Sequence, residues 1–176
     1  YFSAHQISGV MDILNVKYLL IQENNEQKII ENPNVMGIAW AVDSLIIADT
    51  ADEVLESMKS IDFKKSAVVL KSELPDDIGI KFDAEQLNKI ELVKNHPTHL
   101  IYNFEANEDQ LLVFSEMYYP QGWSVKIDDQ KAKIFPVNYV LRGLRVPHGK
   151  HTIEFTFDPP VVRLGGSIRL VSLLIF

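Results

Sequence analysis

The feature that most constrains the fold of this chain is a run of strand and turn patterns across residues 114–160. Apolar and polar side chains alternate at residues 123–127 (WSVKI) and again at residues 152–157 (TIEFTF). This period of two is typical of strands with one buried face. Turn-forming sequences lie between the strands, at residues 128–130 (DDQ) and 147–150 (PHGK). The run therefore predicts consecutive antiparallel hairpins.

The predicted fold class is α+β and mainly β. Further strands are predicted at residues 100–104, 111–115, 133–137 and 140–146. Together these patterns make about six strands at short spacing, which favours two packed antiparallel sheets. We expect an antiparallel, jelly-roll-like β-sandwich over residues 80–168, preceded by a small α/β unit over residues 1–72. Pro136 predicts an edge position or a bulge, because proline donates no hydrogen bond to a neighbouring strand.

The first part of the chain mixes helical and strand patterns. Strands are predicted at residues 16–22, 37–42, 45–48 and 66–70, with helical spacing at residues 8–14. Thr50 and Glu53 form a capping box, in which each side chain can satisfy a free backbone N–H at a helix start. The helix that follows is expected to bury Val54, Leu55 and Met58. Residues 73–79, which include a Pro-Asp-Asp sequence, are the predicted linker.

Composition excludes several classes of function. The net charge is −7, from 17 basic and 24 acidic residues, and no basic patch is concentrated in the sequence. Binding of nucleic acid depends on such a patch, so we expect no nucleic-acid partner. Cysteine is absent, which excludes disulfides, zinc–thiolate sites and a thiol nucleophile.

Several segments carry a family resemblance. FSEMYYPQGW, NYVLRGLRVP, GKHTIEFTFDPP and LGGSI resemble the C-terminal end of bacterial YfhO-type membrane proteins, and LNVKYLL and GIAWAV are similar to that family's soluble domain. The resemblance implies a polytopic protein with a glycosyltransferase-C-like membrane body and an extracytoplasmic domain before its last membrane helix. One departure is visible, since the family's usual Asp-Gly turn is Asp128-Asp129 here. An aspartate must then adopt a backbone conformation that glycine favours.

The apolar segment at residues 170–176 (LVSLLIF) has two interpretations. It is shorter than the roughly 20 apolar residues that a spanning helix needs, so a final buried strand or helix of the sandwich is one of them. The resemblance favours the other, in which residues 169–176 are the stub of a transmembrane helix. Arg163 and Arg169 would then lie at the membrane boundary as interfacial anchors.

The resemblance also implies a function. The chain would be the extracytoplasmic domain of a cell-membrane protein that transfers sugars from a lipid-linked donor to a cell-envelope polymer. The reaction would take place in the membrane body, and this domain, without catalysis or cofactor of its own, would position the acceptor, lipid or partner. Its expected partners are the parent's membrane body and a cell-envelope glycan or lipid-linked sugar. An independent carbohydrate-binding module and a sandwich-fold glycoside hydrolase are the alternatives.

Four residues are candidates for glycan contact, namely Tyr118, Tyr119, Tyr139 and Arg142. Sugars stack their apolar ring faces on aromatic side chains while polar groups hold the hydroxyls. A sandwich also buries tyrosines and tryptophans for packing alone, and the apolar position of Trp123 in its strand predicts a core residue. Tyr118 and Tyr119 face opposite ways on an extended backbone, so one of them is expected to be exposed.

Two histidine pairs, His96 with His99 and His148 with His151, have a spacing of three residues. Positions three apart on a strand face opposite sides, so neither pair predicts a metal site. We expect His151 to hold its hairpin turn.

The acidic residues of the same region do not predict catalysis. A glycosidase needs two carboxylates at a defined separation, and nothing in the sequence pairs any two of Glu116, Asp128, Asp129, Glu154 and Asp158. No catalytic residue is predicted.

Overall fold

The computed structural model describes residues 4–23, 26–76, 78–162 and 165. Within these ranges the helices are α1 (Ala4–Ile13) and α2 (Ala51–Met58). The strands are β1 (Tyr18–Glu23), β2 (Glu26–Glu31), β3 (Ala39–Val42), β4 (Ser44–Ala48), β5 (Ser66–Leu70), β6 (Leu87–His96), β7 (His99–Ala106), β8 (Gln110–Met117), β9 (Trp123–Ile127), β10 (Gln130–Ala132), β11 (Phe135–Val137), β12 (Leu141–Val146) and β13 (Gly149–Phe157).

Two antiparallel sheets pack as a sandwich. One has the strand order β10-β9-β13-β7-β6, and the other has the order β11-β12-β8-β3. Apolar side chains of both sheets form a shared core, in which the rings of Tyr102, Phe114 and Phe155 meet edge to face at centroid distances of 5.0–6.0 Å. Such contacts are favourable beyond the area they bury. The prediction of a mainly β, antiparallel sandwich is confirmed.

The four-stranded sheet is buried on its second face as well. There Leu111, Val113 and Leu141 pack against Phe63 and Val69, which belong to the preceding part of the chain. A strand buried on both faces needs apolar residues at consecutive positions. This accounts for the unbroken LLVF sequence of β8 at residues 111–114, all of which are buried.

The strands β4 and β5 are parallel, and α2 connects them as a β-α-β unit. The Thr50 half of the capping box is formed, since the Glu53 N–H donates to Thr50 Oγ1 (3.2 Å). The Glu53 carboxylate accepts instead from the Asp49 N–H (2.8 Å), one residue before the cap. Val54 is buried, whereas Leu55 is 43% exposed. The prediction that Leu55 shares the buried face is wrong, because one residue further along a helix is turned about 100° away.

Three features of the strand pattern differ from expectation. The strand predicted at residues 16–22 is present as β1, whereas β2 and the ten-residue strand β6 lie outside the predicted strands, since both carry many polar side chains and leave most of them exposed. Of the strand predicted at residues 133–137 only β11, from Phe135 onward, is formed, and it belongs to the other sheet from β10, which ends at Ala132. Pro136 lies in β11, at the edge of its sheet, as a proline should.

The boundary proposed at residues 72–80 stays a prediction. Short 3-10 turns at Lys71–Glu73 and Ala84–Gln86 flank this stretch, and β3, from the first part of the chain, pairs with β8 of the sandwich. The predicted membrane stub at residues 169–176 lies outside the described residues. No helix in the described part of the chain is both long and apolar enough to cross a bilayer.

Asn138 ties the sandwich to the β-α-β unit. Its N–H donates to the Val68 carbonyl (2.8 Å), and its side-chain oxygen accepts from the Val68 N–H (2.9 Å). The residue is fully buried and has φ +48°. Asparagine tolerates this left-handed conformation better than most residues, so one side chain meets both the conformational and the hydrogen-bonding need.

Replacing Asn138 is expected to loosen this connection. In Asn138→Gly the left-handed backbone is retained but the acceptor for Val68 is lost, which should reduce the free energy of unfolding by about 1–3 kcal/mol. In Asn138→Ala a further loss of about 1–2 kcal/mol should follow from backbone strain. Urea denaturation of both variants measures the two contributions. A glycine variant as stable as the wild type would show that the Val68 contact contributes nothing.

Candidate functional site

A buried arginine lies at one end of the sandwich core. Arg142 is 2% exposed, and its guanidinium carbon lies 4.3 Å from the ring centroid of Trp123 and 5.3 Å from that of Phe155. Its Nε donates to the Met117 carbonyl (2.8 Å), and its Nη2 lies 3.8 Å from Glu116 Oε2. The side chain is thus held by two aromatic faces, one carbonyl and a more distant carboxylate.

The electrostatics of Arg142 reflect this burial. Burial lowers the pKa of the guanidinium, while the charge of Glu116 and, to a smaller extent, the nearby Tyr102 act in the opposite direction. Arginine nevertheless stays protonated, because its ordinary pKa is above 12. Its Nη1 is buried and has no hydrogen-bond partner among the described residues. The ring faces of Trp123 and Phe155 therefore replace part of the solvation that the cation has lost.

Three aromatic rings form a row in space that begins beside this arginine. They belong to Trp123, Phe157 and Tyr119, and we call these three residues the aromatic ledge. The Trp123 and Phe157 rings are 5.1 Å apart, and the Tyr119 and Phe157 rings are 6.3 Å apart. Trp123 and Phe157 are directly opposite each other on β9 and β13. They are half-buried, whereas Tyr119 is 48% exposed. The ledge thus offers aromatic surface to solvent at a fixed position.

Gly122 makes the close approach within the ledge possible. A Cβ at this position would lie 2.2 Å from Phe157 Cε2 and 2.8 Å from Tyr119 Cδ1, both too short for any side chain. The Gly122 N–H donates to the Tyr119 carbonyl (3.2 Å), and the Gly122 carbonyl accepts from the Asp158 N–H (2.9 Å). This turn places the Tyr119 ring against Phe157.

The structure separates the four residues predicted to contact glycan. Tyr119 belongs to the ledge and Arg142 lies behind Trp123, whereas Tyr118 is half-buried against the sandwich core. Burial and the charge of Glu73 raise the pKa of Tyr118. Tyr139 is 53% exposed and lines a different cavity, of about 150 Å³, beside α2.

Trp123, predicted to be a core residue, is half-buried and belongs to the ledge. Phe157 is the member of the ledge that the strand pattern does not single out, because it shares one apolar face of its strand with Ile153 and Phe155. Those two residues are fully buried, but Phe157 is at the end of β13, where the core gives way to solvent. Its cross-strand position opposite Trp123 is the signal that identifies it, and this signal requires the strand register.

Three of the four histidines in the predicted pairs hold different carboxylates. His99 Nε2 lies 2.5 Å from Glu154 Oε1, and His148 Nδ1 lies 3.1 Å from Asp109 Oδ1. The third, His151, holds Asp128, while His96 contacts Thr98. Among the carboxylates weighed for catalysis, Asp128 and Glu154 are thus engaged by separate histidines, and Glu116 faces Arg142.

The β9–β10 turn adopts the conformation expected from its sequence. Asp128 and Asp129 have φ values of +48° and +67°, the left-handed conformation that Asp-Gly turns use. Asp128 accepts hydrogen bonds from the Thr152 N–H (2.8 Å) and from His151 Nδ1 (2.5 Å). The second ring nitrogen of His151 lies 3.0 Å from the His148 carbonyl. His151 therefore joins the turn to β13.

This contact shifts both pKa values. Burial alone would lower the pKa of His151, but its hydrogen bonds to Asp128 and to the His148 carbonyl outweigh burial, so its pKa is raised. The same hydrogen bond with His151 is the main cause of the lowered pKa of Asp128. Both shifts favour the charged pair.

Comparison with known proteins gives a family match. The family model described as "Bacterial membrane protein YfhO" matches residues 75–169, which include the whole aromatic ledge and Arg142. The uncharacterized protein YfhO of Bacillus subtilis (strain 168) is 31% identical over 91 residues, which are 52% of this chain and 10% of that protein. The matched part of the chain therefore spans about a tenth of that relative. No solved structure matches.

Replacing the buried arginine is expected to destabilise the fold and release Trp123. Arg142→Met keeps much of the volume but removes the charged hydrogen bond to Met117, so the free energy of unfolding should fall by about 2 kcal/mol. The control is Arg145→Met on the same strand, whose exposed ion pair with Asp109 should contribute less than about 1 kcal/mol. Urea denaturation measures both, and the indole N–H resonance of Trp123 should shift in the first variant alone. Equal losses in the two variants would contradict a special role of Arg142.

The contact between His151 and Asp128 is expected to make stability depend on pH. Its stabilisation should be present below about pH 6.5, where the unfolded histidine is also charged, and should be lost as the pH rises through the raised pKa of folded His151. At the acid end it should be lost as the pH falls below about 3.9 and through the lowered pKa of Asp128.

An NMR titration of His151 in wild type and Asp128→Asn tests this interpretation. The variant should lower the pKa of His151 and flatten the dependence of stability on pH above neutrality. Asp129→Asn is the matched control, because it removes the same charge from the same turn without removing the hydrogen bond. A similar pKa change in both variants would mean that the general field, not the contact, raises the pKa of His151.

Proposed function

Because this chain belongs to the YfhO family of bacterial membrane proteins, we propose that it forms the extracytoplasmic domain of a protein that transfers lipid-linked sugars to a cell-envelope polymer. The domain itself is non-catalytic. It positions the glycan acceptor, or the lipid-linked sugar, for the membrane body of the parent protein. That membrane body is its constant partner.

The aromatic ledge is the observation that carries this proposal. Tyr119 presents about half of its surface to solvent, with Phe157 and Trp123 continuing the apolar surface behind it. Aromatic faces of this kind suit the apolar faces of sugar rings. Gly122 and Arg142 hold the rings from within, so that little conformational entropy is lost when a ligand stacks on them.

The other residues predicted to contact glycan, Arg142, Tyr139 and Tyr118, act outside the stacking surface of the ledge. Arg142 acts as a positioning residue, because its guanidinium is covered by Trp123 and almost fully buried. Tyr139 offers a second exposed ring beside α2, in a cavity that Glu73 also lines. Tyr118 directly precedes Tyr119, and the charge of Glu73 helps to raise its pKa after burial. A polymeric glycan long enough to pass both rings would use both.

The charge of the chain supports its placement outside the cytoplasm. Acidic residues outnumber basic ones by seven. The positive-inside rule concentrates lysine and arginine in the short cytoplasmic loops of membrane proteins. An acidic domain is therefore compatible with the extracytoplasmic side of the cell membrane, where this concentration of basic residues does not apply.

Tyr119→Ala tests the ledge directly. Binding of hexoses and N-acetylhexosamines to the 176-residue chain can be measured by saturation-transfer NMR, and the variant should bind about tenfold more weakly. Tyr18→Ala is the control, since Tyr18 is also exposed, at 57%, but lies on β1. Tyr139→Ala reports on the second ring. Undiminished binding by Tyr119→Ala would remove the ledge from the proposal.

The role in transfer is tested separately in the full-length parent. Cells carrying Tyr119→Ala in that protein should incorporate less labelled sugar into the envelope polymer than cells carrying Tyr18→Ala. If the isolated chain binds sugars but incorporation is unchanged, the chain is an independent carbohydrate-binding module. Release of sugar from the polymer by the isolated chain would instead support a glycoside hydrolase.

A further inference from the structure

A second surface of the sandwich has a chemistry unlike that of the ledge. A groove of about 610 Å³ lies beside the edge strand β10. Pro75 and Ile78 supply apolar walls, and Lys131, Lys133 and Arg145 supply positive charge. Its volume is in the range of known ligand sites. It shares no lining residue with the aromatic ledge.

Among the described residues that line the groove, the one carboxylate, Asp109, is already engaged. Asp109 accepts from Arg145 Nη2 (2.8 Å) and from the His148 N–H (3.0 Å). The His148 N–H is the largest cause of the lowered pKa of Asp109, with Arg145 adding to it against the effect of burial. Asp109 and Arg145 therefore largely neutralise each other.

The two lysines of the groove remain uncompensated. Both are exposed, and neither forms an ion pair with any of the described residues. Lys131 also lies directly opposite Lys126 in the β9–β10 pair. Like charges in that position destabilise a sheet. Lys126 has Glu154 opposite it on its other side, but Glu154 is held by His99. Among the described residues that line the groove there are thus three basic side chains and one carboxylate, in a chain whose net charge is −7.

We propose that this groove binds a phosphate group through Lys131 and Lys133. Ammonium groups bind phosphate as point charges, and a bound anion would relieve the repulsion between Lys131 and Lys126. The apolar walls at Pro75 and Ile78 would contact the organic part that carries the phosphate. The phosphate belongs either to a phospholipid headgroup or to a soluble phosphate ester. This site is independent of the proposed glycan contact.

The test uses the 176-residue chain with two probes that separate these sources. The first is glycerol phosphate in solution, followed by amide chemical shifts of residues 130–133. The second is vesicle co-sedimentation with phosphatidylcholine containing phosphatidylglycerol, compared with phosphatidylcholine alone. The double variant Lys131→Gln/Lys133→Gln should weaken binding about 25-fold, from about fivefold for each lysine near an anionic surface. Higher salt should also weaken binding.

Lys64→Gln/Lys65→Gln is the matched control, since it removes the same charge from two exposed lysines outside the groove. Binding of either probe that is lost in the groove variant and kept in the control supports the proposal. Binding of the vesicles alone would identify a phospholipid headgroup as the source, and binding of glycerol phosphate alone would identify a soluble phosphate ester. Equal loss in the two variants would overturn it in favour of general electrostatic attraction.

Two further results would also overturn the proposal. One is that neither probe binds the wild type. The other is unchanged binding by the groove variant together with self-association. Lysines also protect exposed sheet edges from pairing, and the second result would mean that Lys131 and Lys133 serve that purpose alone. Circular dichroism spectra and thermal unfolding of both variants show that any loss of binding is not a loss of fold.

Discussion

The four-stranded sheet is covered on both faces, and the positions of the surrounding elements depend on this two-sided burial. In β8, Leu112 and Phe114 belong to the core shared with the five-stranded sheet, while Leu111 and Val113 belong to the core shared with β4, α2 and β5. A register shift of one residue would exchange the two sets of side chains. Removing either covering layer would expose apolar surface at a cost of about 25 cal/mol per Å². The hairpins and the preceding β-α-β unit are therefore stable together.

The sequence pattern predicted those strands that have one face exposed to solvent and one face buried. The alternation in residues 123–127 and 152–157, the helix cap at Thr50 and the aspartate turn all have local causes, and each is present in the structure. The ten-residue strand β6 lacks such a signal, because its edge position and bulges leave most of its side chains in water. The chain also passes from one sheet to the other between β10 and β11, and this crossing depends on how the sheets pack and not on a local sequence pattern.

The same distinction applies to the candidate site. Tyr119 and Arg142 could be selected by residue type, because aromatic rings and a guanidinium are the usual partners of sugars. That the two lie close together could not be predicted from residue type. They are linked in space by Trp123 and Phe157, whose rings meet only because β9 and β13 pair in one particular register. The lysines of the groove were not selected, because two separated lysines in an acidic chain form no visible basic patch. Their significance comes from the engagement of the neighbouring carboxylate, Asp109, elsewhere.

Burying the Arg142 guanidinium beneath Trp123 costs desolvation energy. This cost indicates that the positions of Trp123 and of the neighbouring chain need to be fixed. An apolar side chain in place of Arg142 would avoid the desolvation of a charge, but it would leave the Met117 carbonyl without its donor. The guanidinium adds a flat face for Trp123 and a directed hydrogen bond to the Met117 carbonyl, just before the segment that carries Tyr119. One side chain thereby fixes both the ring of Trp123 and the course of the chain into the turn. An aliphatic residue could fill the space but would leave both free to move. The glycan contact proposed for the ledge would then lose the affinity that comes from holding the rings in place before the ligand arrives.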